Sequence, residues 1–187
     1  MTPNSDRPRP FHLLLIKPSH YDDDGYVIQW WRSSLPSNSL AAVYGIAQDC
    51  AQRRVLGEDV EIRIRALDET NTRIDLRRLI REMGADGGQA LVGMVGVQSN
   101  QYPRALDIAR RFREAGLPVV IGGFHVSGCL AMLKQLPREL QEALDLGISL
   151  FAGELEGRLD GLLADAAGGE LKPVYDYLND LPDMTGR

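Results

Sequence analysis

The sequence predicts a doubly wound α/β fold on a five-stranded parallel sheet, and three observations predict it. Short apolar runs alternate five times with patterns of helical period, which marks a parallel sheet covered by helices on both faces. The first, third and fourth runs are apolar nearly throughout, as strands buried on both faces are. The second, residues 60–66, alternates strictly and so belongs at a half-exposed sheet edge. A lateral second strand beside a central first strand gives the order 2-1-3-4-5, a flavodoxin-like, Rossmann-like arrangement.

Composition sets the bounds. With 187 residues, 44% hydrophobic and 25% charged, the chain suits one soluble globular domain with a single core. Its net charge of −5 gives no general basic footprint for nucleic acid. No run approaches the roughly 18–20 apolar residues of a membrane span. The first ten residues are polar and proline-rich, without the apolar core of a secretory signal. Cys50 and Cys129 are the only cysteines and stand far apart, so they read as small buried hydrophobes in a cytoplasmic protein.

In chain order, residues 1–10 read as a disordered arm. Residues 11–17 form the first strand, stopped by Pro18. The connection over 19–38 is long for this fold class and carries His20, Asp22, Asp23, Asp24 and both tryptophans, Trp30 and Trp31. Its length and aromatic content mark an ordered functional loop. Ser37 or Asn38 can cap a helix over about 39–56, with Leu40, Val43, Tyr44, Ala47 and Cys50 or Ala51 on one face and Gly57 beyond its end. After the second strand, Ile74, Leu76, Leu79, Ile80 and Met83 repeat at helical spacing.

Residues 90–97 are the third strand, with the polar exit Gln98-Ser99-Asn100-Gln101-Tyr102. Pro103 fits the first turn of the next helix, which buries Leu106, Ala109 and Phe112 and ends at Gly116. The run Pro118-Val119-Val120-Ile121 is the fourth strand. Gly122-Gly123 then removes every side chain where it ends, followed by Phe124 and His125. Paired glycines there mark either a tight strand-to-helix turn or a close approach of backbone to a ligand. Helical patterns over 130–136 and 138–146, broken by Pro137, lead to a fifth strand over 148–152. Gly153-Glu154-Leu155-Glu156-Gly157 opens a last helix running to about Ala166. Residues 168–187 turn Gly-, Pro- and Asp-rich and read as a linker, which leaves 11–167 as the folded domain.

The exit loops of strands one, three, four and five converge on one crevice in such a sheet. Here they are glycine-bearing or polar, and the first is long and aromatic, which suits a large flat ligand with a polar rim. Lys17-Pro18-Ser19-His20-Tyr21 makes a poor flavodoxin phosphate cradle. The phospho-accepting aspartate and the lysine of a two-component receiver are absent, since Val97-Gln98 and Ala152-Gly153 stand in those places.

Ser99 after the third strand, Gly-Gly-Phe-His-Val after the fourth and Gly-Glu-x-Glu after the fifth occur in register on consecutive strand ends. With the tail from Pro173-Val174-Tyr175 to Leu181-Pro182, this pattern resembles the cobalamin-binding domain that precedes many radical S-adenosylmethionine enzymes. The likeness covers nearly the whole chain. It implies that a corrin ring lies over the loops while its nucleotide tail descends beside the first strand. Ser99, Asn100, Gly122, Gly123, Phe124 and His125 would line the ligand, with Gly153 and Glu154 at its border. It also implies a partner domain that holds S-adenosylmethionine and a 4Fe-4S cluster, in the same longer chain or a separate subunit. The whole enzyme would transfer a methyl group or rearrange a carbon skeleton.

Two departures stand out. The D-x-H-x-x-G motif of base-off, His-on cobalamin proteins is not met around His20, where Pro18 and Asp23 occupy its Asp and Gly positions. The C-x-x-x-C-x-x-C cluster motif is missing, and two cysteines cannot supply three thiolates. Glu154 and Glu156 invite an acid-base pairing, but carboxylates in a helix's first turn are favoured by its dipole. The aspartates at 22–24 read as solvated, and His125 either contacts ligand or caps a helix. The rival expectation is a flavodoxin-like interaction or small-ligand module without cobalamin, its crevice blocked by Phe124 or Tyr102 and its tryptophan loop docked on a partner. No nucleophile-base pair for an independent hydrolase or transferase is visible in the sequence.

Overall fold

Alternation along each strand decides which helices cover which face. The structure, a computed structural model, describes residues 8–30, 37–85 and 89–180. In β1 (Arg9–Lys17), Phe11, Leu13 and Leu15 face one layer while Leu14 and Ile16 face the other. On the first face lie α1 (Asn38–Gln52) and α6 (Leu159–Gly168), which bury Leu40, Ala47, Leu159 and Leu163. The second face carries α2 (Leu76–Ala85), α3 (Tyr102–Glu114), α4 (Phe124–Met132) and α5 (Arg138–Asp145), with Leu79, Phe112, Val126 and Leu140 in its core.

The remaining strands are β2 (Val60–Asp68), β3 (Gln89–Met94), β4 (Val119–Gly122), β5 (Ser149–Ala152) and β6 (Val174–Asp176). All pair in parallel, in the order β2-β1-β3-β4-β5-β6. β1 is an interior strand between β2 and β3, and β2 lies at the edge with alternate residues exposed, as its pattern predicts.

The sheet has six strands, not five. Residues 168–187, expected as a linker, contain β6, which pairs Val174, Tyr175 and Asp176 with Leu150, Phe151 and Ala152. Three residues with one buried side chain, Tyr175, are too short to show a period. Tyr175 Oη donates to Asp165 Oδ2 at 2.7 Å, fixing the strand to α6. Two residues of the expected arm, Arg9 and Pro10, belong to β1; residues 1–7 of that arm lie outside the described residues, as do Trp31, Leu181 and Pro182.

Two helix starts also differ from expectation. α4 begins at Phe124, directly behind Gly123, rather than at about 130. Residues 154–156 do not open α6, because Gly153 and Gly157 on either side have φ of +101° and +71°, outside the right-handed helical region. At the start of α1, Ser37 Oγ accepts the Leu40 N–H at 3.2 Å, an N-cap of the expected kind.

Candidate functional site

Glycines stand at the exits of three adjacent strands: Gly96 after β3, Gly122 and Gly123 at β4, and Gly153 after β5. Gly123 has φ +135°, and a Cβ there would lie 2.2 Å from the Val97 nitrogen. Only glycine fits. The bend locks two exits together, with Val97 N–H donating to Gly122 O at 3.1 Å and His125 N–H to Val97 O at 3.0 Å. Ser127 Oγ accepts the Gly153 N–H at 3.2 Å and ties in the third exit. The double glycine therefore makes a sharp strand-to-helix turn and borders a cavity as well.

That cavity, about 610 Å³, is a slot between the sheet and the helices α1 and α6. This is within the roughly 300–1,000 Å³ usual for ligand sites. Leu13, Leu15, Leu91 and Val120 contribute its sheet side, and Val43, Ile46, Leu159 and Leu162 its helical side. Gly93 lies in the interior of β3, where a glycine weakens a strand and needs a reason. Here its missing side chain leaves the slot open: a Cβ would touch Leu15 Cδ2 at 3.3 Å and Val120 Cγ1 at 3.9 Å.

Polar residues lie among the lining groups: Asn38, Ser39, Gln98, Ser127, Glu154 and Glu156. Among the described residues none of the lining side chains is Lys, Arg or His, and the two glutamates are the charged groups of the lining. Lys17 is nearby and buried, but its Nζ donates to Gly96 O and Gln101 Oε1, both at 2.7 Å. Burial lowers its pKa, with Asp68 opposing. Its role is to hold the β3 exit loop in place.

The two helices beside the slot are joined to each other. Arg53 donates to both Asp160 oxygens at 2.7 and 2.8 Å, and Cys50 Sγ donates to Asp160 Oδ1 at 3.1 Å. The Arg53 guanidinium holds the Asp160 carboxyl down at about 2. Burial, then the Asp160 bond, pushes the Cys50 thiol up to about 12.

Of the residues expected to contact ligand, Gly122, Gly123, Phe124, Gly153 and Glu154 line the slot together. Ser99, Asn100 and His125 do not. His125 is engaged within the protein: Nδ1 lies 3.1 Å from Ser99 Oγ, Nε2 lies 3.2 Å from Glu139 Oε1, and its ring packs 4.5 Å from that of Tyr102. Ser99 thus hydrogen-bonds His125 while Glu139 lies close to its other nitrogen, a grouping that sequence reasoning did not find, because Glu139 comes from a separate helix. Gly93, Asn38 and Ser39 were also missed; the one available signal was a glycine inside an apolar strand.

Residues 18–30 of the long β1–α1 loop lean the other way. Buried Glu69 accepts from Ser19 N–H at 3.1 Å and from Arg104 Nη2 at 2.6 Å. Tyr21 Oη donates to Asp107 Oδ2 at 2.6 Å. Asp22 Oδ1 accepts from the N–H groups of Asp24 and Tyr26, so one of the three aspartates forms a turn. Neither His20 nor Trp30 lines the slot, and Trp30 is 63% exposed. The blocked crevice expected of an interaction module is not observed: Tyr102 is buried in the opposite core layer, and Phe124 is 76% exposed. Among the described residues no group of three or more His, Cys, Asp and Glu is placed to hold a metal ion. No helix there is long and apolar enough to cross a membrane.

No protein-family model matches this chain, and no curated protein matches it.

Proposed function

We propose that this chain is a cobalamin-binding domain of a cytoplasmic radical S-adenosylmethionine enzyme. One observation carries the reading: an apolar slot, open because β3 carries Gly93, lies beneath a mouth bordered by glycine backbone. Such a shape takes a ligand in two parts. A planar aromatic base with little charge enters the slot, and a broad ring rests on the glycine-bearing exits. Cobalamin has both parts, in its nucleotide base and its corrin.

The lining has no basic group among the described residues, which weighs against polyanionic tenants such as flavin mononucleotide or a dinucleotide, since these need cations or free N–H groups around their phosphates. In this reading Leu13, Leu91, Val120 and Leu162 hold the base away from water, while Gly122, Gly123 and Gly153 let the ring approach backbone. When bound, cobalamin supplies a cobalt centre able to carry a methyl group. The S-adenosylmethionine and 4Fe-4S sites belong to a partner domain, because this chain has two cysteines. Methyl transfer or carbon-skeleton rearrangement is the chemistry of the complete enzyme.

The test is a thermal melt of the purified protein with hydroxocobalamin. A ligand that binds only the folded state adds about 2.7 kcal/mol at a hundred times its dissociation constant. The melting temperature should rise, and Gly93→Val, which fills the slot, should abolish that rise while the unliganded protein stays folded. No shift at saturating hydroxocobalamin overturns the reading.

A further inference from the structure

We infer that the mouth of the slot selects a ligand whose rim carries hydrogen-bond donors and rejects the same ring bearing carboxylates. The inference rests on the corrinoid reading and deepens it. Glu154 and Glu156 line the slot and have no hydrogen-bond or ion-pair partner among the described residues. Ionised carboxylates are acceptors only. Among the described residues no cationic side chain shares the lining to offset them, and Lys17 Nζ is engaged by Gly96 and Gln101.

Ser99 adds a third acceptor at the adjoining β3 exit. Glu139 Oε1 lies 3.2 Å from His125 Nε2 and favours a proton on that nitrogen, which Cys129 Sγ also approaches at 3.9 Å. In the neutral imidazole, Nδ1 then has a lone pair, and the Ser99 hydroxyl 3.1 Å away donates to it. With its proton committed inward, Ser99 Oγ presents lone pairs to solvent. Ser99 is exposed, whereas the His125 side chain is only 10% exposed. His125 and Glu139 are therefore positioning residues that set the polarity of Ser99.

Acceptors on three loop residues match primary carboxamides, the groups that ring a fully amidated corrin. A ring whose carboxamides are still carboxylates brings like charge against Glu154 and Glu156 and finds no donor at Ser99. Like-charge juxtaposition is an effective means of rejecting a wrong partner.

The experiment compares dicyanocobinamide with dicyanocobyrinic acid, both lacking the nucleotide, by melting shift and absorbance titration. Cobinamide should bind at least about tenfold more tightly. The E154Q/E156Q double variant should narrow that ratio several-fold. D23N/D24N, which changes net charge equally in the exposed β1–α1 loop, should leave it unchanged. Ser99→Ala should weaken cobinamide and leave cobyrinic acid unaffected. Equal binding of the two rings, or a ratio indifferent to E154Q/E156Q, overturns this inference and leaves the corrinoid reading standing. If hydroxocobalamin and both nucleotide-free rings all fail to bind, the corrinoid reading falls and takes the inference with it.

Discussion

Gly93 and Gly123 lack a side chain for different reasons, and substitution separates them. At Gly123 the backbone is at φ +135° and the added methyl overlaps backbone atoms of Gly96 and Val97, which cannot swing aside. Gly123→Ala should cost about 3 kcal/mol or more, measured by the urea midpoint. At Gly93 no positive φ is required, and the nearest atom is the flexible end of Leu15. Gly93→Ala should change stability by less than about 1 kcal/mol, because relief of the strand's glycine penalty offsets a tight contact. Only Gly123 was legible as special in the sequence, since a glycine pair ending a strand is an obvious signal. Gly93 passes as filler in an apolar run until its neighbours across the sheet are known. Phe124 and His125 illustrate the same limit, because adjacent residues of one helix turn outward and inward respectively.

At the scale of elements, α1 and α6 are held together by Cys50, Arg53 and Asp160, and the protonation of that cluster is linked to folding. Cys50 moves from an ordinary 9.0 in the unfolded chain to about 12 when folded. Between those values the unfolded chain has released a proton that the folded chain keeps, so stability falls as pH rises. It is fully present below about 9 and drops at up to about 1.4 kcal/mol per pH unit above it. Urea denaturation at pH 8.5, 9.0 and 9.5, below the main tyrosine titrations, should show this slope beginning, and Cys50→Ala should reduce it. A slope unchanged by the substitution would remove Cys50 from the cause. Most helices were readable from period and capping, with Ser37 one of two cap candidates for α1. Their ends were less so: Gly-Glu-x-Glu reads as a helix start by charge placement, yet the left-handed glycines on both sides keep those glutamates in a loop. The course of the β1–α1 loop over residues 18–30 depends on Glu69 and Arg104, which no local pattern connects.

For the whole molecule, the alternation of elements was enough to give a parallel sheet with β2 lateral beside β1, and not enough to give its far edge. β6 covers the open side of β5 and buries Tyr175 to 3% exposure. A chain ended at residue 167, the boundary that composition alone would choose, should therefore unfold or aggregate, because it exposes the edge of β5. Tyr175→Ala in the full chain should cost about 3–5 kcal/mol in chemical denaturation, the range for removing a buried aromatic. A truncated chain that melts like the intact one would make β6 an ornament. The strand order also carries a history. After β3 pairs with β1, each later strand adds outside the one before it, so the sheet grows in one direction as the chain leaves the ribosome. The slot needs α1 from early in that sequence and α6 from near its end. A nascent chain thus holds no partial slot, and the cavity exists only once α6 has packed beside α1.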